Sequence, residues 1–294
     1  MAKTIEEGFT KFISGLQPND SEHWKAASHK NSVEACLYNN FGCYRFFETG
    51  SFGNGTSVKH FSDTDYFAAI PKDRLWENSS SSLAKVREAL QTTFQRTDGI
   101  KVNCPAVKIP FGQYASEDME ITPCWAAGTI DTKLGNFALS QIPNCDGGWM
   151  YSSPKAHNEY VKKENDRLKS NKVKNLIQLV KAWKYFNDVP ISSFYLELRV
   201  TKYVERESII IFDIDLEEIF LNLCNQGLAD MQDPMGISGL IPASKTNNFK
   251  QIAFSKLYTA ATRAEKAIEA KSKSNIDDSF YWWNLLFDNK FPAR

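Results

Sequence analysis

The chain has 294 residues, enough for one large domain or two modest ones around a substantial core. Hydrophobic residues make up 42% and charged residues 24%, with 35 basic residues against 35 acidic ones. That balance supplies no overall field to draw the chain to duplex nucleic acid or to an acidic membrane. No apolar run reaches the roughly 18 residues of a membrane span. The start, "MAKTIEEGFTKFISGL", is amphipathic and lacks the apolar centre of a secretion signal, so a cytoplasmic setting is expected. The six cysteines (36, 43, 104, 124, 145 and 224) include no C-x-x-C pair, and the four histidines are equally dispersed. Free thiols are therefore expected, with neither a disulfide framework nor a zinc site.

Along the chain, Ile5, Phe9, Phe12 and Ile13 fall at helical spacing over residues 4–16. A second helix is predicted over 21–40, carrying Trp24, Val33 and Leu37. Next comes "GSFGNGTSVKHFSDTDYFAAIP", residues 50–71, in which a glycine- and hydroxyl-rich loop leads into the alternating strand "DTDYFAAI". Leu83, Val86, Leu90 and Phe94 mark a helix over 82–96. Residues 100–125 read as two strands joined near "GQYASED", with Val107, Ile109 and Phe111 on one and Met119 and Ile121 on the other. Beyond about residue 150 the pattern becomes helical. Ser153 before Pro154 opens one helix, and further helices fit 171–186, 191–204, 215–226 and 248–272.

Asp63 and Asp65 lie two apart on the predicted strand, so their side chains share a face with Cα atoms about 6.5–7 Å apart. Such a pair is suited to two divalent cations about 3.5–4 Å apart, the arrangement used for in-line phosphoryl transfer. The glycines just before it let backbone N–H groups approach phosphate oxygens, and Ser51 adds a hydroxyl. In "SEDMEITPCW", Asp118 and Glu120 share one strand face, and spacing alone leaves open which of them completes a carboxylate triad. A second D-x-D, at Asp213 and Asp215, precedes "LEEIF" without any glycine loop and reads as a helix cap with Glu218 as its capping-box partner. Lys181 beside the stripe of its helix is placed to reach a triphosphate as a point charge. Ser193 and Phe194 open the next helix with a hydroxyl and an aromatic face.

G-S at 50–51, the short glycine/threonine loop, S-D-x-D, an acid three residues before Pro123, "VKAW…PISSFYLE" and the ending "YWWNLLFDNKFP" together resemble the bacterial CD-NTases. These are template-independent nucleotidyltransferases of the polymerase-β-like superfamily, related to cyclic GMP–AMP synthase and oligoadenylate synthase. The resemblance implies an α+β fold: a nucleotidyltransferase core with a small mixed sheet over 1–155, a helical lobe over 156–294, and the active site in the cleft between them. It implies that Asp63, Asp65 and Glu120 are catalytic and hold two Mg²⁺ ions, with Mn²⁺ as a substitute. Gly50, Ser51, Lys181, Ser193 and Phe194 would bind nucleotide. The implied substrates are ATP and GTP, UTP or CTP, condensed into a cyclic di- or trinucleotide that addresses an effector in antiphage defence. The alternative is a nucleotidyltransferase acting on a tRNA, a protein or a small molecule, or a silent nucleotide-binding module. Two departures stand out: Glu120 replaces the commoner aspartate, and Asn54 stands where oligoadenylate synthase carries a lysine. The zinc insertion of the animal DNA sensor is absent, which with the zero net charge argues against duplex nucleic acid as a partner, and without a long apolar run no membrane partner is expected.

Overall fold

A computed structural model describes residues 2–17, 29–61, 63–112 and 117–294. The chain divides into two compact units, Pro18–Glu159 and Met1–Gln17 with Tyr160–Arg294.

The first unit is built on a seven-stranded mixed sheet. Helix α1 (Ile5–Leu16) belongs to the other unit, so the sheet unit's described part begins with α2 (Lys30–Phe41). There follow β1 (Arg45–Thr49), a short helix α3 (Gly50–Asn54), β2 (Thr64–Ala69), α4 (Ser79–Thr93), β3 (Lys101–Asn103) and β4 (Ala106–Phe111). The long β5 (Glu117–Thr132), β6 (Gly135–Pro143) and β7 (Trp149–Ser152) complete the sheet. The order is β1-β2-β5-β4-β3, with β6 on the far half of β5 and β7 on β6; only the β2–β5 pair is parallel.

Period-two alternation gives the central strands two distinct faces. Tyr66, Ala68, Val107, Ile109, Met119 and Ile121 point to one side, where Val33, Leu37, Leu83, Val86 and Leu90 of α2 and α4 cover them. The opposite face carries Asp65, Lys108 and Glu120, paired across β2, β5 and β4. The amphipathic helices therefore fix which side of the sheet presents charge. Helix α4 starts where Asn78 accepts hydrogen bonds from the Ser80 and Ser81 amides, three residues earlier than the periodicity suggested. The expected helix over 21–40 is seen from Lys30; its earlier part, with Trp24, lies outside the described residues, as does most of the turn near "GQYASED".

The expectation that the thiols are all free is overturned. Cys104 and Cys145 form a disulfide, with Cα atoms 5.6 Å apart, joining the β3–β4 turn to the β6–β7 connection. A pairing across 41 residues leaves no local spacing signature. Cys36, Cys43, Cys124 and Cys224 are free; burial pushes the Cys43 thiol up to about 11 and that of Cys124 to about 12, so both stay protonated.

The second unit is helical: α1, α5 (Pro154–Arg167, which begins in the sheet unit), α6 (Lys172–Phe186), α7 (Ser193–Val204), α8 (Phe212–Asn225), α9 (Asn247–Ser272) and α10 (Ile276–Leu286). A two-stranded ribbon, β8 (Met231–Gln232) with β9 (Leu240–Ile241), links α8 to α9. The first helix was expected to go with residues 1–155. It packs instead with the C-terminal helices, because Phe9 and Phe12 meet Trp283, Phe287 and Phe291 at ring-centroid distances of 4.5–5.3 Å. No helix among the described residues is long and apolar enough to cross a membrane.

Candidate active site

The glycine-rich stretch after β1 forms the helical turn α3 rather than an open loop. Gly50 opens it at φ +65°, and a Cβ there would lie 1.9 Å from Asp65 Oδ2. No side chain fits that space, so glycine is required both by the backbone conformation and by the carboxylate against it. Thr49, the Cα partner of Asp65 across β1–β2, donates from Oγ1 to the Asp65 carbonyl at 3.4 Å. Ser51 follows in the same turn, half-buried, and its carbonyl accepts from the Thr56 amide at 2.9 Å. Asp65 and the Gly50–Ser51 turn are thus adjacent.

Asp65 is in direct register with Glu120 across the parallel β2–β5 pair, and Glu120 with Lys108 across β5–β4. Asp63 lies just before β2, and Lys108 Nζ donates to its Oδ1 at 3.3 Å while ion-pairing Asp118 Oδ2 at 2.5 Å. Glu120 accepts a hydrogen bond from Asn103 Nδ2 at 2.7 Å. Burial raises the Asp63 pKa above the ordinary aspartate value; the Lys108 charge opposes that rise and Asp118 adds to it. For Lys108, burial works against the ammonium, but hydrogen bonds and charge from Asp118 and Asp63 outweigh it and hold the pKa above the usual lysine value. Among the described residues, no three acidic, histidine or cysteine side chains are gathered closely enough to hold a metal ion.

The remaining residues singled out in the sequence lie in the helical unit. Lys181 is buried, with its side chain 2% exposed, and its ammonium meets Glu197 Oε2 at 2.5 Å. One turn on, Lys184 donates to Ser193 Oγ at 2.5 Å, and the Tyr185 hydroxyl is 3.2 Å from the same atom. Ser192, not Ser193, is the N-cap of α7, its Oγ accepting from the Tyr195 amide; Phe194 is exposed beside it. Asp213 and Asp215 serve structure, as expected, though not as caps. Ile211 is the N-cap residue, and Asp215 in the first turn reaches back to its amide while accepting from Tyr203. Asp213 ion-pairs with Lys271 at 2.7 Å.

Sequence reasoning passed over Lys108, Asn103 and Lys184. Lys108 carried a signal, since it is the charged residue between inward-facing Val107 and Ile109. Asn103 carried none, because its strand is only three residues long.

A mixed sheet with acids in register beside a glycine turn, together with a helical unit, is the fold of the polymerase-β-like nucleotidyltransferases. Residues 3–165 match the Second Messenger Oligonucleotide or Dinucleotide Synthetase domain (SMODS), and the chain belongs to this CD-NTase family. Solved structures agree on the fold. CdnC of E. coli MS115-1 with ATP is similar at TM-score 0.74 and 17% identity, covering 98% of this chain and 99% of that one. CdnG of Bradyrhizobium diazoefficiens in complex with GTP gives 0.69 and 11%, over 97% and 99%. The cyclic AMP–GMP synthase DncV of Vibrio cholerae gives 0.64 and 16%, over 98% and 80%. No curated protein matches the chain.

Proposed function

We propose that the protein condenses nucleoside triphosphates into a cyclic di- or trinucleotide, a second messenger of antiphage defence made in the cytoplasm. In each step a ribose hydroxyl forms a bond to the α-phosphorus of another nucleotide, the bond to the bridging oxygen breaks, and pyrophosphate leaves; a final intramolecular step closes the ring. The observation that carries this reading is the Asp65–Glu120 register with the Asp65 carboxylate packed on Gly50, inside a chain of this family.

The donor chemistry fits hard divalent cations, Mg²⁺ or Mn²⁺. The face offers carboxylate oxygens at Asp63, Asp65, Asp118 and Glu120, and a lysine ammonium already bridges two of those acids. In our reading Asp63, Asp65 and Glu120, which are not gathered round one point here, would hold the metal once its charge draws them together, and when bound it would neutralise phosphate charge and acidify the attacking hydroxyl. Gly50 and Ser51 bind the donor triphosphate through backbone and hydroxyl donors. Ser193 and Phe194 meet phosphate and base, and Lys184 is better exposed than Lys181 to act as the phosphate's point charge.

Incubation of the purified chain with labelled ATP, GTP, UTP and CTP and Mg²⁺ alone is expected to yield a phosphatase-resistant product whose mass is that of a cyclic di- or trinucleotide. Joint replacement Asp63→Ala and Asp65→Ala abolishes it while leaving the circular dichroism spectrum intact. A labelled tRNA, protein or small molecule as the only product would transfer the activity to an acceptor-modifying nucleotidyltransferase. Unchanged turnover in the double variant would refute the site.

A further inference from the structure

Lys108 makes two unequal contacts. Its ammonium is 2.5 Å from Asp118 Oδ2 and 3.3 Å from Asp63 Oδ1, and the side chain remains 23% exposed. Lys108 and Glu120 are Cα partners across β4–β5, and Asp118 precedes Glu120 by two on the same face. The lysine therefore stands at the row of acids assigned to metal. The other oxygen of Asp118, Oδ1, is buried and has no hydrogen-bond partner, while its Oδ2 carries the ion pair with Lys108.

We propose, on the reading of the site given above, that Lys108 is a positioning residue: it is the resident counter-ion of Asp63 in the metal-free enzyme, and Asp118 is the post onto which it withdraws when a divalent cation takes Asp63. A monocation and a dication bound to one carboxylate repel each other, so the metal reaches Asp63 only as the ammonium retreats. The flexible four-carbon stem of lysine permits that short swing. Asp118 at the closer distance sets its cost. The pair Lys108–Asp118 thereby tunes metal affinity without touching the metal.

The two partners should act with opposite sign, whereas a merely structural ion pair would weaken the site from either side. Mn²⁺ alone, titrated into the full chain and followed by electron paramagnetic resonance, gives a readout independent of product formation. Lys108→Met is expected to tighten Mn²⁺ binding about tenfold, by removing a nearby like charge. Asp118→Asn is expected to weaken it about tenfold by leaving the lysine on Asp63. In the Lys108→Met background Asp118→Asn should lose most of its effect, a coupling that only a lysine-mediated role produces. Lys101→Met, the exposed neighbour of Lys108 on β3, should change nothing. If Lys108→Met is too unstable, Lys108→Gln is read the same way, and Asp118→Asn is nearly isosteric. Equal effects of Asp118→Asn with and without the lysine, or loosened binding in Lys108→Met, overturn the proposal. Saturable Mn²⁺ binding that survives Asp65→Asn would sink the site assignment itself, and the proposal with it. Saturable, Asp65-dependent binding that ignores Lys108 would sink the proposal alone.

Discussion

The two units treat a lysine–carboxylate contact in opposite ways. In the sheet unit Lys108 is shared between Asp63 and Asp118 at a partly open face, with more acid than base around it. In the helical unit Lys181 is sealed to 2% exposure and matched with Glu197. An unbalanced, reachable cluster suits a cation or a phosphate-bound metal, whereas a sealed lysine–glutamate contact between α6 and α7 is the kind found in packing. The difference separates chemistry from architecture more sharply than residue type does.

The largest effect expected from this contrast concerns the sealed pair. Lys181→Met takes the ammonium away from a buried glutamate and should cost about 3–5 kcal/mol of stability in chemical denaturation. Adding Glu197→Leu should restore most of it, since an apolar pair of similar volume often equals a buried ion pair. Should Lys181→Met instead keep full stability while product formation collapses, the lysine is a phosphate ligand and the contrast between the units is broken. Next in size is the cross-link that ties the sheet unit's connections. Cys145→Ser should lower stability by about 4 kcal/mol, because the disulfide closes a separation of 41 residues. Product formation at a temperature where the variant is folded should change little, since neither cysteine is among the proposed ligands.

Gly50→Ala probes the open face. The added Cβ would have to displace the Asp65 carboxylate from 1.9 Å, and φ +65° strains any other residue. A shift of about 1 Å in a reacting group costs roughly a hundredfold in rate, so product formation should fall by about that factor. The melting temperature should also fall, by roughly a few degrees, because alanine is strained at this φ, so activity is compared at a temperature where the variant is folded. A variant of unchanged activity would mean that the Asp65–Gly50 contact has no part in the chemistry.

Where the pattern was local, the fold was legible. The strand "DTDYFAAI", the helices at 4–16, 171–186 and 248–272, and the charged face through Asp65 and Glu120 all follow from period and caps. Non-local or short features were not. The glycine stretch closed into one helical turn because Gly55, at φ +69°, caps a run too brief to show periodicity. Strand β5 continues past Pro123 and through a bulge between Ala126 and Thr129, where "CWAAG" does not alternate. "YWWNLL" lies within α10, a helix too rich in aromatics on all sides for its period to show. The partners of Asp63 and Glu120, Lys108 and Asn103, come from strands paired far along the chain. Which of Lys181 and Lys184 faces inward also escaped the sequence, since residues three apart share a helix side. Their burial is decided by what packs on α6.

The smallest expected effect follows from that last point. Lys184 reaches Ser193 Oγ at the start of α7, on a side chain that is only part-buried. A point charge there that binds triphosphate equally in the ground and transition states contributes affinity and little else. Lys184→Ala should therefore raise the KM for nucleoside triphosphate about tenfold, leave kcat within about twofold, and cost little stability; Lys184→Arg should recover most of the loss. Steady-state kinetics at saturating and limiting ATP separate the two parameters. A fall in kcat at unchanged KM would mean the ammonium meets charge that develops only during phosphoryl transfer. The helical unit would then carry part of the reaction itself, and the division of chemistry to the sheet and architecture to the helices would fail.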